Sequence, residues 1–418
     1  MRIKVDENGN WRSFRHRNFR ILYPANALSN IGTWAQRVAQ DWLVLELTDN
    51  NGFYLGLVTA IQFAPVLLFS LQGGAMADRI DKRKLLIWTN IVEALACYAL
   101  GILVVTEVIE LWHVFVCAAV LGISSALDAP IRQSFTAEIV GHSDVANAVS
   151  LNSANFNAGR LVGPALSGFL IARFDTGPSF LINATTYLFV ILSLFFMRSS
   201  DFFIQKKEET LGTIREGLRY AKARPDLYVV MALVFFAATF GLNFQIFNAL
   251  MATKEFGKGP ASYGLLGTFI AVGSLSGALI SARLERFRDA KLVMKLGILF
   301  SIIVIVLSVM PTYTWYSLWL PVCGISALTM LISANSYVQV NSDPAVRGRV
   351  MGIYLLVFMG GTPVGSLLIG YLTEALGTRE TIALCGGFSL LMCLLIWFFF
   401  NDKVERPDDL RVSSVLGK

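Results

Sequence analysis

Long apolar segments, each close to twenty residues and separated by short charged loops, constrain this chain more than any other feature. Hydropathy predicts spans at 21–47, 53–77, 85–106, 111–135, 147–172, 178–197, 227–251, 261–282, 291–310, 314–339, 350–374 and 379–400. A helix needs about 20 apolar residues to cross a bilayer. Only 15% of the residues are charged, whereas soluble domains carry about 25%. The sequence therefore predicts an all-α polytopic membrane protein with twelve transmembrane helices.

Lysine and arginine are unevenly divided between the two sets of loops. If the N-terminus lies inside, the outer loops hold only Arg173, Lys254, Lys258 and Arg379, whereas the inner segments are rich in both residues. The positive-inside rule then predicts that both termini face the cytoplasm. We expect a multi-pass protein of the cytoplasmic (inner) membrane. The sequence pI of about 9.0 follows from this topology and does not indicate nucleic acid binding.

The two halves of the chain repeat each other. Gly159, Gly163 and Gly168 recur as Gly361, Gly365 and Gly370, each 202 positions later. This predicts two pseudo-symmetric six-helix bundles, 1–197 and 227–418, the second ending in a cytoplasmic tail. Transporters built from repeats bind substrate at mid-membrane, where the repeats meet.

A polar connector, 198–226, joins the predicted bundles. It is expected to form an amphipathic helix on the cytoplasmic surface. The residues predicted to share its apolar side are Leu211, Ile214, Leu218 and Tyr220/Ala221.

The segment GGAMADRIDKRK, residues 73–84, lies between the second and third spans. Its residues Gly74, Asp78, Arg79, Lys82 and Arg83 resemble the loop motif G-x-x-x-D-R-x-G-R-R/K of the major facilitator superfamily, with Asp81 in place of the usual glycine. The resemblance covers essentially the whole chain. LDAPIRQSFTAEIV, EGLRYAKARPDL and SYVQVNSDPAVRGRVMGIY are similar to the branch that contains the enterobactin exporter and the macrolide efflux proteins. This implies the major facilitator fold and a secondary transporter, usually an exporter driven by the proton gradient, without identifying the substrate.

We interpret this motif as an inner-gate latch. Gly74 permits close helix approach, and Asp78 is expected to dock near Arg347–Val350, at the positive N-terminal end of span eleven. Arg132 is a second candidate partner. Asp128 and Arg132 share one face of span four near its inner end, where a structural latch is favoured over a substrate contact.

Span five contains GRLVGPALSG, residues 159–168. Gly159, Gly163, Pro164 and Gly168 resemble the G-x-x-x-G-P-x-x-G-G element of antiporters in this superfamily, with Ser167 replacing one glycine. We favour an antiporter-like helix bend, because Pro164 removes a backbone donor. Plain packing of small residues between helices is the alternative.

Polar residues in span one form a continuous stripe. Asn26, Asn30, Thr33, Arg37 and Asp41 are spaced four, three, four and four residues apart, which places them on one helix face. In one interpretation they line a cavity, Asp41 exchanges a proton, and Arg37 tunes Asp41 or contacts an anionic substrate. In the other, Arg37 and Asp41 form a local ion pair near the outer mouth.

Further polar groups are candidates for the same cavity. Arg160 in span five has no acid one turn away, so its partner is expected from another helix, such as Glu93 of span three. Asn243, Asn335 and Gln339 could contribute hydrogen bonds from the second half.

Several classes of function are disfavoured by absences from the sequence. The three histidines, His16, His113 and His142, lack metal-ligand spacing, and there is no Walker motif or catalytic constellation. We expect no enzyme activity, cofactor or bound metal.

We predict a secondary active transporter that works by alternating access and exports a small amphipathic molecule, such as a siderophore, antibiotic or drug, in exchange for protons. Its expected partners are that substrate, protons and the bilayer, with the protein acting as a monomer. Proton-linked uptake and a non-transporting membrane sensor are the alternatives, and the sequence leaves open whether the coupling ion is a proton or sodium.

Overall fold

The computed structural model describes residues 9–203, 214–283, 289–344 and 346–401, without the side chains at 70–79, 214–215 and 282. Within these ranges the chain is helical and contains no strand. The helices of the first half are α1 (Arg17–Leu47), α2 (Gly52–Arg79), α3 (Lys82–Val105), α4 (Leu111–Val140), α5 (Val145–Phe174) and α6 (Gly177–Phe195). Those that follow are α7 (Ile214–Ala223), α8 (Pro225–Phe236), α9 (Phe244–Leu250), α10 (Pro260–Arg283), α11 (Ala290–Ser308), α12 (Tyr313–Asn341), α13 (Arg347–Leu376) and α14 (Thr378–Phe400).

The helices correspond to the twelve predicted spans. Ten helical segments of the described chain are long and apolar enough to cross a membrane. The other two spans are α1 and α5, which are 31 and 30 residues long but less hydropathic because of their polar side chains. The prediction of an all-α polytopic fold is confirmed.

The seventh span is not one regular α-helix. A π-helical turn at Ala237–Gly241 separates α8 from α9, and a second π-helical turn follows at Met251–Glu255. Such turns are rare and often occur at functional sites. Hydropathy alone does not reveal them.

The helices group into two compact units. The first comprises residues 1–50, 61–208 and 258–268, and in it α1 packs on α5 and α6 while α3 packs on α6 and α4. The second comprises 51–60, 209–257 and 269–418, and in it α11 packs on α14 and α12. The first unit therefore includes the beginning of α10, whose remainder belongs to the second unit. The second unit includes the beginning of α2, whose remainder belongs to the first.

The repeated glycines explain part of this packing. A Cβ atom at Gly163 would lie 2.6 Å from Cβ of Trp34, so α5 touches α1. A Cβ atom at Gly365 would lie 2.2 Å from the backbone oxygen of Thr239, so α13 touches the π-helical turn. Corresponding glycines of the repeat thus allow the same type of close helix approach in each unit.

The third glycine of each copy faces the beginning of a helix. A Cβ atom at Gly168 would lie 2.8 Å from the backbone oxygen of Pro260 in α10, within the first unit. A Cβ atom at Gly370 would lie 2.6 Å from the backbone oxygen of Gly52 in α2, within the second. Close packing accounts for the glycines of span five, and the predicted bend at Pro164 stays a prediction.

We expect Gly365→Ala to lower the free energy of unfolding by about 1–3 kcal/mol, the usual cost of overpacking, since the added methyl group meets backbone. Gly352→Ala, on the same helix, is the matched control because an added Cβ there would have nothing within 4 Å. It should be neutral or stabilising by about 0.5–1 kcal/mol. Thermal unfolding in detergent measures both variants, and equal melting temperatures would contradict this expectation.

The connector contains helix α7, whose packed side differs in part from the prediction. Tyr220 and Ala221 are buried as expected, but Leu218 is 43% exposed. The reason is that α7 packs on α13 through Gly217, where an added Cβ would lie 2.8 Å from Cβ of Arg349. This contact turns Leu218 away from the protein. Leu211 and the side chain of Ile214 lie outside the described residues.

A buried ion pair follows α7. Arg224 donates from Nε and Nη2 to the two carboxylate oxygens of Asp226, at 2.9 and 2.7 Å. The same carboxylate accepts a 2.9 Å hydrogen bond from Tyr337 of α12, and Arg224 also donates to the hydroxyl of Tyr220 at 3.2 Å. The pair therefore ties the connector helix to α8 and α12.

Candidate substrate cavity and proton site

A polar cavity of about 510 Å³ lies within the first unit. Its wall is formed by residues of α1, α3, α4, α5 and α6. Helix α1 contributes the cavity-facing part of the predicted stripe, which is Asn26, Asn30 and Thr33. Most of the lining side chains carry an amide or a hydroxyl group, apolar atoms make up the larger part of the wall surface, and Phe156 and Tyr187 add aromatic rings. Such a wall can hold a solute through hydrogen bonds and ring contacts.

One ion pair is fixed in this wall. Arg132 donates from Nε and Nη2 to the carboxylate of Asp128, at 2.7 and 3.0 Å, and from Nη1 to Oδ1 of Asn26 at 2.7 Å. Thr89 donates a further 2.9 Å hydrogen bond to Asp128. Both charged residues line the cavity, although the sequence suggested a latch. Arg132 is therefore already neutralised by a bidentate carboxylate contact.

Glu93 also lines the cavity and is 5% exposed. The sequence suggested it as a partner for Arg160, and the structure differs. The Arg160 guanidinium lies 5.7 Å from the ring centre of Trp34 in α1. The physical reason is the close contact of α5 with α1 at Gly159 and Gly163, which directs Arg160 to α1.

Arg37 and Asp41, the last two members of the stripe, lie beyond the cavity wall. The Arg37 guanidinium lies 4.7 Å from the ring centre of Trp34 and 5.8 Å from that of Phe63. Asp41 is 1% exposed and accepts a 2.6 Å hydrogen bond from the hydroxyl of Tyr263 in α10. Aromatic side chains thus contact both residues, which the pattern along α1 could not show.

Tyr263 was missed by sequence reasoning. It stacks on Trp42, with ring centres 6.3 Å apart, next to the carboxyl group that it binds. Helix α10 reaches this position because Gly264 has no side chain: a Cβ there would lie 2.3 Å from the backbone oxygen of Pro164. The one available signal was the pair of small residues Gly264 and Gly267 at the start of the helix.

The remaining predicted cavity residues belong to the second unit. Asn243 is buried and donates to the backbone oxygen of Thr239 at 2.8 Å, beside the first π-helical turn. Asn335 is half-buried and Gln339 is exposed. Their role in substrate binding stays a prediction.

The structure describes the side chains of only part of the inner-gate motif. Asp81 precedes α3 and accepts a 3.2 Å hydrogen bond from the backbone N–H of Lys84, so it is the N-cap of that helix. Capping provides a physical reason for aspartate at this position. Lys82 contacts Glu138 at 2.5 Å, and Arg83 donates to the backbone oxygen of Leu194 at 2.8 Å. The predicted contacts of Gly74, Asp78 and Arg79 lie outside the described side chains.

In the described part of the chain, no group of three or more His, Cys, Asp or Glu side chains could hold a metal ion.

Comparison with known proteins adds an independent finding. The family described as transmembrane secretion effector matches residues 8–415. The staphyloferrin A transporter of Staphylococcus aureus is 23% identical over 397 residues, which cover 92% of this chain and 97% of that protein. The multidrug efflux pump Tap of Mycolicibacterium fortuitum is 26% identical over 388 residues, or 90% and 93% of the two chains. The enterobactin exporter EntS of Escherichia coli is 23% identical over 413 residues, or 96% of each.

A solved structure shares the fold. It is a bacterial homologue of the human lysosomal transporter Spinster in an inward-facing, occupied conformation, with a TM-score of 0.75 and 15% sequence identity. The match covers 96% of this chain and all of the other.

Proposed function

Because this chain belongs to the transmembrane secretion effector family of the major facilitator superfamily, we propose that it exports a small amphipathic molecule in exchange for protons. The protein is a membrane transporter and not an enzyme. The names of its relatives, which include two siderophore transporters and a multidrug efflux pump, support a siderophore, antibiotic or drug as substrate. The lysine and arginine asymmetry of the loops supports a cytoplasmic-membrane location with both termini inside.

The observation that carries proton coupling is the contact between Asp41 and Tyr263. A carboxylate is costly inside a membrane unless it is paired or protonated. Asp41 is 1% exposed and its carboxyl group is bound by a hydroxyl at 2.6 Å. Tyr263 belongs to the segment 258–268, which groups with the first unit while the rest of α10 groups with the second. Water that reached this pair during transport would let Asp41 exchange its proton.

The cavity of the first unit is the proposed substrate site. Its volume of about 510 Å³ is within the range of small-molecule pockets, about 300–1,000 Å³. Amides of Asn26, Asn30 and Asn152 provide donors and acceptors on the wall, and Phe156 provides an apolar contact. This combination suits an amphipathic molecule better than a purely apolar one.

The direction of transport can be tested in cells. Metabolites are profiled in cells and medium for a strain that lacks the protein and for the same strain with the gene restored, together with susceptibility to a panel of toxins. Export predicts that the deletion strain retains a compound, or becomes sensitive to a toxin, and that restoration reverses this. A compound left in the medium by the deletion strain would instead indicate uptake and contradict the proposal.

The latch hypothesis gives a separate prediction. We expect Asp78→Asn to reduce transport at least tenfold while the amount of protein in the membrane is unchanged, because a neutral side chain loses the attraction to a positive helix end. The matched control is Asp81→Asn, since asparagine is as good an N-cap as aspartate and the Asp81 side chain caps α3. Normal efflux kinetics in Asp78→Asn would remove the latch from the mechanism.

A further inference from the structure

Trp34 lies next to two guanidinium groups that come from different helices. The Cζ atom of Arg37 in α1 is 4.7 Å from the ring centre of Trp34, and that of Arg160 in α5 is 5.7 Å from it. We propose that Arg37 and Arg160 together bind a carboxylate group of the transported molecule, so that the substrate is an organic anion. The inference rests on the transport function proposed above and specifies its substrate class.

The carboxyl group of Asp41, one turn along α1, acts on Arg37 through its charge and is itself held by the hydroxyl of Tyr263. Among the described residues, neither guanidinium forms an ion pair with a carboxylate. Nε of Arg37 is buried and has no hydrogen-bond partner within the same part of the structure. Arg132 provides the contrast, because the same unit supplies it with a bidentate contact to Asp128 and an amide of Asn26.

The location of the two arginines is energetically costly. Both lie in membrane-spanning helices, where a cationic side chain is normally paired or functional. Attraction to an aromatic face is weaker than that cost, and two cations near the same ring also repel each other. A carboxylate between them would remove the repulsion and satisfy the guanidinium N–H groups, to which its planar geometry is matched.

Both arginines lie one helical turn beyond the cavity wall. Arg37 follows Thr33 by one turn of α1, and Arg160 follows Phe156 by one turn of α5, and both Thr33 and Phe156 line the cavity. The rings of Trp34 and Phe156 are in edge contact, with centres 5.6 Å apart. A molecule in the cavity could therefore extend its acidic group to the arginines while its apolar part contacts these two rings.

The experiment uses the full chain purified in detergent and citrate as the probe. Isothermal titration calorimetry measures citrate binding to the wild type and to Arg37→Gln and Arg160→Gln. We expect each substitution to weaken binding at least tenfold, which corresponds to about 1.4 kcal/mol. Binding should also weaken as sodium chloride is added, since it depends on charge. Triethyl citrate, which has the same skeleton without charge, should not bind.

Matched variants separate local loss of charge from damage to the fold. Arg173→Gln changes an exposed arginine of the same helix α5 and should bind citrate as the wild type does. Arg37→Lys and Arg160→Lys retain the positive charge but lack the planar guanidinium group. They should bind citrate more tightly than the glutamine variants. All variants must show a melting temperature close to that of the wild type before their affinities are compared.

Several results would overturn the proposal. These are a wild type that does not bind citrate, glutamine variants that bind it normally, or equal binding of triethyl citrate. A parallel titration with inorganic phosphate tests the alternative that the two arginines bind the phosphate of a lipid headgroup. Tighter binding of phosphate than of citrate would also overturn the carboxylate assignment. The titration needs no pH gradient, so a failure of proton-driven export would leave the measured citrate affinity unchanged. A failure of the anion site would leave the transport assays on the wild type unchanged.

Discussion

Replacement of Asp41 by asparagine is expected to abolish transport driven by a pH gradient while exchange of substrate across the membrane continues. Asparagine has nearly the same shape, and its amide oxygen can still accept the hydrogen bond that Tyr263 donates at 2.6 Å. It cannot release a proton. If one proton is exchanged per substrate, a gradient of one pH unit provides about 1.4 kcal/mol, or roughly tenfold accumulation. The variant should show no accumulation.

The measurement uses proteoliposomes loaded with the compound that the deletion strain retains. Gradient-driven accumulation and counterflow exchange at equal pH are recorded for the wild type, Asp41→Asn and Asp49→Asn. Asp49 is a suitable control because it is exposed and has a φ of 51°, a conformation that asparagine tolerates equally well. Retention of gradient-driven accumulation in Asp41→Asn would exclude Asp41 as the coupling acid, and loss of exchange as well would point to substrate binding instead.

Asp226→Ala is expected to lower the free energy of unfolding by about 3–5 kcal/mol, the usual cost of breaking a buried ion pair. The Asp226 side chain is 1% exposed and accepts from Arg224 at 2.9 and 2.7 Å and from Tyr337 at 2.9 Å. Removing the carboxylate leaves a guanidinium that is 9% exposed without its counter-charge. Chemical or thermal unfolding in detergent measures the loss.

Two further variants serve as controls for Asp226→Ala. Asp201→Ala removes an exposed aspartate of the connector and should change stability by less than about 0.5 kcal/mol. The double variant Arg224→Met/Asp226→Leu removes both charges, and should recover much of the stability, because apolar side chains often replace a buried pair without loss. A double variant as unstable as Asp226→Ala would show that the ion pair is not the cause.

Local patterns in the sequence account for much of the site on helix α1. The spacing of Asn26, Asn30 and Thr33 places them on one face, and all three line the cavity. Close helix packing, the alternative to a bend at the repeated glycines, is present at Gly163 and Gly365. These features depend on helix periodicity and on residue size, both of which are local properties of a chain.

Partners from distant segments were harder to predict. The spacing of Arg37 and Asp41 left open whether they line a cavity or form a local ion pair. The structure adds contacts that this spacing does not predict, because Arg37 lies near the same ring as Arg160 and Asp41 accepts a hydrogen bond from Tyr263. Tyr263 is 222 positions away from Asp41, and no periodicity links residues so far apart. Leu218 became exposed for a related reason, since the packing of Gly217 on α13 decided which side of α7 is buried.

The sequence by itself determined that this chain is an all-α membrane protein with twelve spans in two related halves, because a bilayer accepts only long apolar helices. Its polar stripe also marked helix α1 as a candidate cavity wall. Only the tertiary structure decided which charges form direct ion pairs, as Arg132 does with Asp128, and which lie against aromatic rings, as Arg37 does. The physical reason is that ion pairs and ring contacts act over a few ångströms, and helix packing decides which residues come that close.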